Sequence, residues 1–413
     1  MINFAIAIYY IIFIVIFLYA MYFCISGFIG IILKDKSNIK KANKYNYFAI
    51  LIAARNEEKV IGNLIESLNN IDYPKDKIDI YVIPNNCTDN TKNISIEKGA
   101  KIIECNEKVS SKGDVLKIAF EKLKNNKEID AYMVFDADNV VHKDFLNKMN
   151  DCIESGYNVA QGFRDAKNAS DNWLSGSYAI FYLLQNVFFN RSRMGFKSSS
   201  SINGTGFMIK KSYIDENGFE TKSLTEDVEF TGQCALKNEK IAFVSDAITY
   251  DEYPNKFNTS WKQRKRWSAG IITCMKLYSF KLFKNYIKTG DLSSLDMSLV
   301  YLGPLMQIIS LISFIMLIVF KILGIHLYDI FSYAFSTGIL YFVLTYLIGI
   351  SIELFVLLYK KKKITNILSG VVLFLIFIFT WLPINIICFI KKYSKWEEIK
   401  HDRSIKLEEI DLN

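Results

Sequence analysis

The chain has 413 residues, 51% of them apolar and 22% charged, with a formal net charge of +8. Such a length calls for more than one unit, and apolar and charged residues coexist at these levels only when segregated along the chain, as in a polar domain joined to membrane segments. The positive charge gathers beside the apolar runs and forms no basic stripe with interleaved aromatics, which argues against a nucleic-acid partner; seven scattered cysteines without a CxxC pair argue against a disulfide framework or a zinc site, and His142, His326 and His401, far apart in sequence, give no support to a histidine metal or triad site.

In chain order, residues 3–33 form one apolar run, long enough for a retained membrane helix and too long for a signal-peptide core. The lysines that follow, Lys34, Lys36, Lys40, Lys41 and Lys44, put the next segment on the cytoplasmic side and the N-terminus outside. Residues 47 to about 260 read as an α/β domain. YFAILIAARNE is a buried strand with a polar turn, and in EKVIGNLIESLNN the residues Val60, Ile61, Leu64, Ile65 and Leu68 share one helical face. IDIYVIPNNCTDNT is a second strand, and AYMVFDADN a third that stops at acidic residues. The alternation predicts a mainly parallel sheet covered on both faces, with ligands beyond the carboxyl ends of the strands. Residues 173–193, apolar but interrupted and ending in Arg191 and Arg193, read as an interfacial helix, as does the region 271–297; ordinary core helices are the alternative. Apolar runs at about 298–325, 332–359 and 366–390 predict C-terminal transmembrane helices, followed by a polar tail, 391–413. Lys360 to Lys363 and Lys391, Lys392 and Lys395 all belong inside, so the last run, broken by Pro383, is either re-entrant or interfacial or an exception to the charge rule.

Three constellations carry chemistry. In FDADN, Asp136 and Asp138 at a strand end suit one hard cation, Mg2+ or Mn2+, held jointly with phosphate oxygens. In SLTEDVEF, Glu226 and Asp227 offer a carboxylate base for an attacking hydroxyl, or simply an acidic helix start after Thr225. In WKQRKRW, Arg266 suits a diphosphate, Trp267 a sugar ring and Gln263 a hydrogen bond to sugar or acceptor, against the plainer reading of a basic juxtamembrane anchor.

In this order, and with membrane helices after them, these motifs resemble the processive, inverting family-two glycosyltransferases, the group of cellulose, chitin, hyaluronan and poly-N-acetylglucosamine synthases. The resemblance implies a GT-A-type α/β nucleotide-sugar domain over residues 47–270 with transmembrane and interfacial helices, multi-pass in the plasma membrane with the catalytic domain cytoplasmic. By resemblance, Ala54, Arg55 and Glu57 in AARNEE cradle the nucleotide; Lys112, beside Gly113, lies near the diphosphate; Asp136 and Asp138 match the metal and diphosphate positions; Gly204 and Thr205 line the acceptor pocket; Asp227 is the base with Glu226 beside it; Arg266 grips the donor; and Gln263 and Trp267 meet the acceptor. One departure is Asn85, where the family has an Asp that accepts a hydrogen bond from uracil; Asp89 remains to share that role. The expected donor is UDP-N-acetylglucosamine or a similar UDP-hexose. The expected acceptor is a growing polysaccharide with coupled secretion, or else a lipid that receives a single sugar. Membrane lipids are further partners, and a second subunit or a homo-oligomer would be needed to complete a channel. A transporter or inactive scaffold is the third reading, and the scarcity of ionisable residues in the membrane runs, Glu353 apart, speaks against it.

Overall fold

The computed structural model describes residues 2–33, 35–105, 107, 109–327, 339–391, 393 and 403–410. The apolar run at the start is one helix, α1 (Ile2–Ile32). After it, short apolar runs bounded by polar turns become strands, and segments with apolar residues three and four apart become helices: β1 (Phe48–Ala54), α2 (Ile61–Asn69), β2 (Ile78–Pro84), α3 (Thr91–Glu97), β3 (Lys101–Ile102), α4 (Lys112–Leu123), β4 (Ala131–Asp136), β5 (Val140–Val141), α5 (Phe145–Glu154) and β6 (Val159–Ala166). There follow α6 (Trp173–Leu184), a wider π-type stretch Gln185–Arg191, α7 (Ser192–Gly195), β7 (Phe207–Lys210), α8 (Lys211–Asn217), α9 (Glu226–Leu236) and β8 (Ile241–Asp251). Four longer or apolar elements close the chain: α10 (Phe257–Thr289), α11 (Leu292–Ile322), α12 (Ile339–Tyr359) and the pair α13 (Leu368–Phe379) and α14 (Trp381–Ile390).

The strands form one sheet in the order β3-β2-β1-β4-β7-β6-β8-β5. It is mainly parallel, as expected, since β6 also pairs parallel with β8, but it carries antiparallel pairings. β3, β2, β1 and β4 run together, but β7 pairs antiparallel with both β4 and β6, and β5 runs antiparallel to β8. Glycines shape the turn that enters the reversed β7. The chain reaches β7 from the rim where β4 ends, through a turn whose Gly204 and Gly206 sit at φ +85° and +62°, a region only glycine enters without cost. One core packs α2 and α5 on one face of the sheet, through Ile61, Leu64, Leu68, Phe145 and Met149. A second packs α4, α8 and α9 on the other, through Leu116, Phe120, Tyr213 and Phe230.

Three expectations about the apolar segments change. Residues 173–193 are packed into the protein: α6 crosses α13 so closely that a Cβ on Gly370 would lie 2.8 Å from the Gly176 Cα, and small residues allow this approach. Tyr178, Leu183 and Val187 share one cluster with Val371, Phe374 and Phe377. The boundary expected at 270/271 falls inside the continuous helix α10, which stops only at Gly290 in the left-handed conformation. The last apolar run breaks at Thr380 rather than at Pro383; Pro383 sits in the first turn of α14, where its missing N–H costs nothing. Arg264 braces the break by donating to the Phe377 carbonyl (3.1 Å) and the Thr380 hydroxyl (2.5 Å), and that hydroxyl donates in turn to the same carbonyl (2.7 Å). Among the described residues, α1, α11 and the pair Leu368–Ile390 are by length and composition the helices able to cross a membrane; the described apolar part of α12, Tyr346–Tyr359, is shorter. The start of the 332–359 run and most of the tail lie outside the described residues, but residues 403–410 are not a free polar tail, since Ile410, Ile405 and Leu407 pack on Val140 and Tyr250 of the sheet.

Candidate active site

The polar turns converge because the strands that feed them end on one rim. β1 delivers Ala54, Arg55 and Glu57; β2 delivers Asn85; β4 delivers Asp136 and Asp138; and the turn into β7 delivers Gly204 from the same side. Together with Lys112, Glu226, Asp227, Gln263, Arg266 and Trp267 they line one cavity of about 350 Å³.

Helix starts supply the next layer. Ser111 caps α4 in a box closed by Asp114, which fixes Lys112 as the first helical residue. Its Nζ donates to Asp136 Oδ1 at 2.5 Å and to the Gly204 carbonyl at 2.7 Å, with Glu226 at 4.0 Å. Glu226 and Asp227 open α9, where the helix dipole favours acids. A Cβ on Gly113 would meet Thr221 Oγ1 at 2.2 Å and Glu226 Cβ at 3.1 Å, so glycine lets the two helix starts meet. On α10, Gln263, Arg266, Trp267 and Ile271 recur at helical spacing and turn one face to the cavity. Gly270 on that helix lies against Thr225, where a Cβ would stand 2.2 Å from its Oγ1.

Charge in the cavity is finely opposed. Burial disfavours the ionised carboxyl of Asp136, but Lys112, Arg164 and Arg266 outweigh it and hold the group below its ordinary range. Burial also works against the Lys112 ammonium, and Asp136 and Glu226 reverse that and raise it. Burial and the charge of Asp227 push Glu226 up to about 7, with Lys112 and Arg266 pulling the other way. Asp227 is itself raised by burial, against the Val228 N–H and the same cations. The two acids titrate as a pair. A base must be ionised to accept a proton, and a raised carboxyl keeps its own proton until the pH climbs past the raised value. If the pair accepts a proton from a substrate, kcat/KM is therefore expected to fall as the pH drops through the pair's raised range. A kcat/KM profile flat through that range would remove the pair from proton transfer.

Two expected contacts move one layer out. Asp89 caps the start of α3 and ties the first two turns together: its carboxylate accepts from the Thr91 hydroxyl (2.6 Å), the Thr91 N–H (3.0 Å) and the Glu58 N–H (3.1 Å). Thr205 is fully buried, and its hydroxyl accepts from the Asp136 N–H at 2.9 Å, supporting the acidic turn rather than lining the cavity. Asn85 lines the cavity, while its Oδ1 accepts from Asn86 Nδ2 at 2.7 Å.

Sequence reading missed Arg164, Tyr182, Glu252 and Trp381, all of which line the cavity. Arg164 Nε donates to Asp251 at 2.5 Å, another of its nitrogens donates to the Asn203 carbonyl, and its guanidinium lies 4.1 Å from the Tyr182 ring centre. Burial pushes Asp251 up to about 7 although Arg164 opposes it. Arg164 and Glu252 sit at strand ends, like the residues that were found, and that position was their signal. Trp381, 6.1 Å from Trp267 with the rings nearly parallel, comes from a distant apolar run and gave none.

Buried polar atoms without a hydrogen-bond partner among the described residues include Arg266 Nε, Gln263 Oε1 and the Trp381 indole nitrogen, all on cavity-lining side chains. Such atoms cost free energy unless a ligand satisfies them. No three His, Cys, Asp or Glu among the described residues converge into a metal cage. Asp136 and Asp138 line the cavity, with one oxygen of Asp136 bound by Lys112 and one of Asp138 by the Glu252 N–H at 3.0 Å. That donor set fits a hard divalent cation that completes its shell with water and phosphate oxygens.

The sheet order, the shared rim and the acid-and-cation cavity define a GT-A-type nucleotide-sugar domain joined to long apolar helices. The chain belongs to the glycosyl transferase family group 2, whose model matches residues 133–384. It is 29% identical over 264 residues to a probable glycosyltransferase, YdaM, of Bacillus subtilis, covering 61% of this chain and 60% of that one. It is 25% identical to the beta-monoglucosyldiacylglycerol synthase of Synechocystis sp., over 55% of this chain and 48% of that one. The chain thus spans between about half and 60% of the length of these relatives. A mannosyltransferase of Pyrobaculum calidifontis, solved with GDP-Man and Mn2+, shares the fold at TM-score 0.61 and 13% identity, over 94% of this chain and 98% of that one.

Proposed function

We propose that this chain transfers a single hexose from a nucleoside diphosphate donor to a lipid acceptor at the membrane surface, with inversion at the anomeric carbon. The observation that carries the lipid acceptor is the composition of one cavity wall. Phe181, Tyr182, Trp267, Ile271, Met297, Val300 and Trp381 form an apolar flank. Met297 and Val300 belong to α11 and Trp381 to the Leu368–Ile390 pair, two of the elements long and apolar enough to span a membrane. An acceptor with an apolar body can then reach the site along helices that are themselves membrane-facing. Relatives named as glycolipid synthases agree with this reading.

The acceptor hydroxyl attacks the anomeric carbon and gives its proton to Asp227, while the bond from that carbon to the diphosphate oxygen breaks and its electron pair leaves with the diphosphate. Glu226 and Lys112 set the charge around Asp227, and Arg266 meets the departing diphosphate. Ala54, Arg55, Glu57 and Asn85 face the nucleotide. Asp136 and Asp138 would hold a divalent cation, Mg2+ or Mn2+, which when bound neutralises charge on the leaving group. Gln263 and the stacked Trp267 and Trp381 position the acceptor sugar or headgroup.

The test is product size. Membranes carrying the chain, given labelled nucleotide sugars and Mn2+, are expected to yield one lipid-linked sugar on thin-layer separation. A ladder or high polymer would restore the polysaccharide reading. Trp381→Ala is expected to raise the acceptor KM about tenfold with the donor KM unchanged, in line with the ~1–1.5 kcal/mol of an aromatic contact. Equal changes for both substrates would place Trp381 outside the acceptor path.

A further inference from the structure

We propose that the C-terminal segment Arg403–Ile410 is a positioning strap that sets the Asp138 carboxylate from outside the cavity. The inference rests on the reading above, in which Asp136 and Asp138 hold the cation and diphosphate.

The segment is far from the site in sequence, and its anchors are of two kinds. Ile410, Ile405 and Leu407 pack on Val140, Ile248 and Tyr250, at the β5–β8 edge of the sheet. Arg403 grips Asp171 through two parallel bonds, Nε at 3.0 Å and a terminal nitrogen at 2.8 Å, the geometry in which a guanidinium is most directional. Asn63 donates to the Ser404 hydroxyl at 2.9 Å, and Lys406 pairs with Glu66 at 3.3 Å. The last pair is exposed and adds little by itself.

From Arg403, two routes converge on Asp138. In the first, the buried Lys167 donates its Nζ to the Arg403 carbonyl at 3.1 Å and to the Asp138 carbonyl at 2.8 Å. In the second, the Glu252 carboxylate accepts from the Arg403 N–H at 3.2 and 3.3 Å, while the Glu252 N–H donates to Asp138 Oδ2 at 3.0 Å. Lys167 and Glu252 also approach each other, at 3.5 Å, and close the loop. Glu252 itself lines the cavity. Without the strap, Lys167 loses an acceptor and the Glu252 carboxylate loses the N–H that turns it toward Arg403, so both supports of Asp138 slacken. Partners that orient a metal-binding carboxylate typically change metal affinity by about 10–100-fold. Lys167, Glu252 and Arg403 are therefore positioning residues, acting through Asp138.

The experiment measures Mn2+ binding directly, by electron paramagnetic resonance on the purified full chain in lipid nanodiscs with saturating UDP or GDP. A chain ending at residue 402 and the variant Lys167→Met, which keeps the apolar anchors, are each expected to bind Mn2+ about 10–100-fold more weakly, with acceptor KM unchanged. Arg403→Lys is expected to recover part of the loss. If the shortened chain melts early, Lys167→Met decides. Mn2+ affinity unchanged in Lys167→Met overturns the strap while leaving the enzyme reading intact. Absence of nucleotide-dependent Mn2+ binding in the unaltered chain overturns the metal assignment and the strap together.

Discussion

Asp227→Asn is expected to lower sugar transfer by about 10²–10⁴-fold, the usual contribution of a positioned proton acceptor, while donor affinity stays within about threefold of the unaltered chain. The geometry behind this is tight. Asp227 opens α9 and lies against the Gly204 turn, where a Cβ on Gly204 would stand 3.3 Å from its Oδ2. The substitution keeps the shape but removes both the ability to take a proton and the charge that helps raise Glu226. Titration calorimetry with the nucleoside diphosphate, beside turnover measurements, separates lost transfer from lost donor affinity. A collapse of donor affinity would make Asp227 a donor-binding group and leave the base unassigned.

Lys112→Met is expected to damage the site more broadly. Its ammonium is the one cation hydrogen-bonded to Asp136 among the described residues, and it also stands 4.0 Å from Glu226. Removing one partner of a buried ion pair typically costs about 3–5 kcal/mol; the Asp136 side chain keeps 39% of its exposure, so the stability loss here belongs below that range. The clearer sign is in the pH profile. Lys112 pulls the Glu226–Asp227 pair downward, so its loss lets burial raise the pair further. The acid limb of kcat/KM then moves to higher pH, and turnover at neutral pH falls by about 10²-fold or more. Lys112→Arg, which retains the charge, is expected to hold the limb near its original position. An unmoved limb in Lys112→Met would show that the lysine acts through Asp136 and the Gly204 carbonyl and not through the acid pair.

These expectations depend on residues that were legible to different degrees. Asp136 and Asp138 stand out because a buried apolar strand that stops at carboxylates is unusual, and Glu226 and Asp227 because paired acids open a helix; all four reach one cavity. Asp89 and Thr205 share that polar-turn signature yet serve as caps and braces, since a turn's own backbone competes for short polar side chains. The motif WKQRKRW divided in the same way: Gln263, Arg266 and Trp267 face the cavity, while Arg264 turns the other way and braces the end of α13.

Sequence by itself determined the alternation of strands and helices, the apolar runs, and the acidic and basic motifs, because periodicity and strand ends are local properties of a chain. Tertiary structure alone decided that β7 runs against its neighbours, that residues 173–193 are packed against α13 and α1, that Trp381 joins Trp267, and that the tail reaches Lys167. Each of these depends on contacts between residues far apart along the chain. Such contacts are fixed by which faces remain to be covered once the local elements exist, and no short window of sequence records that choice.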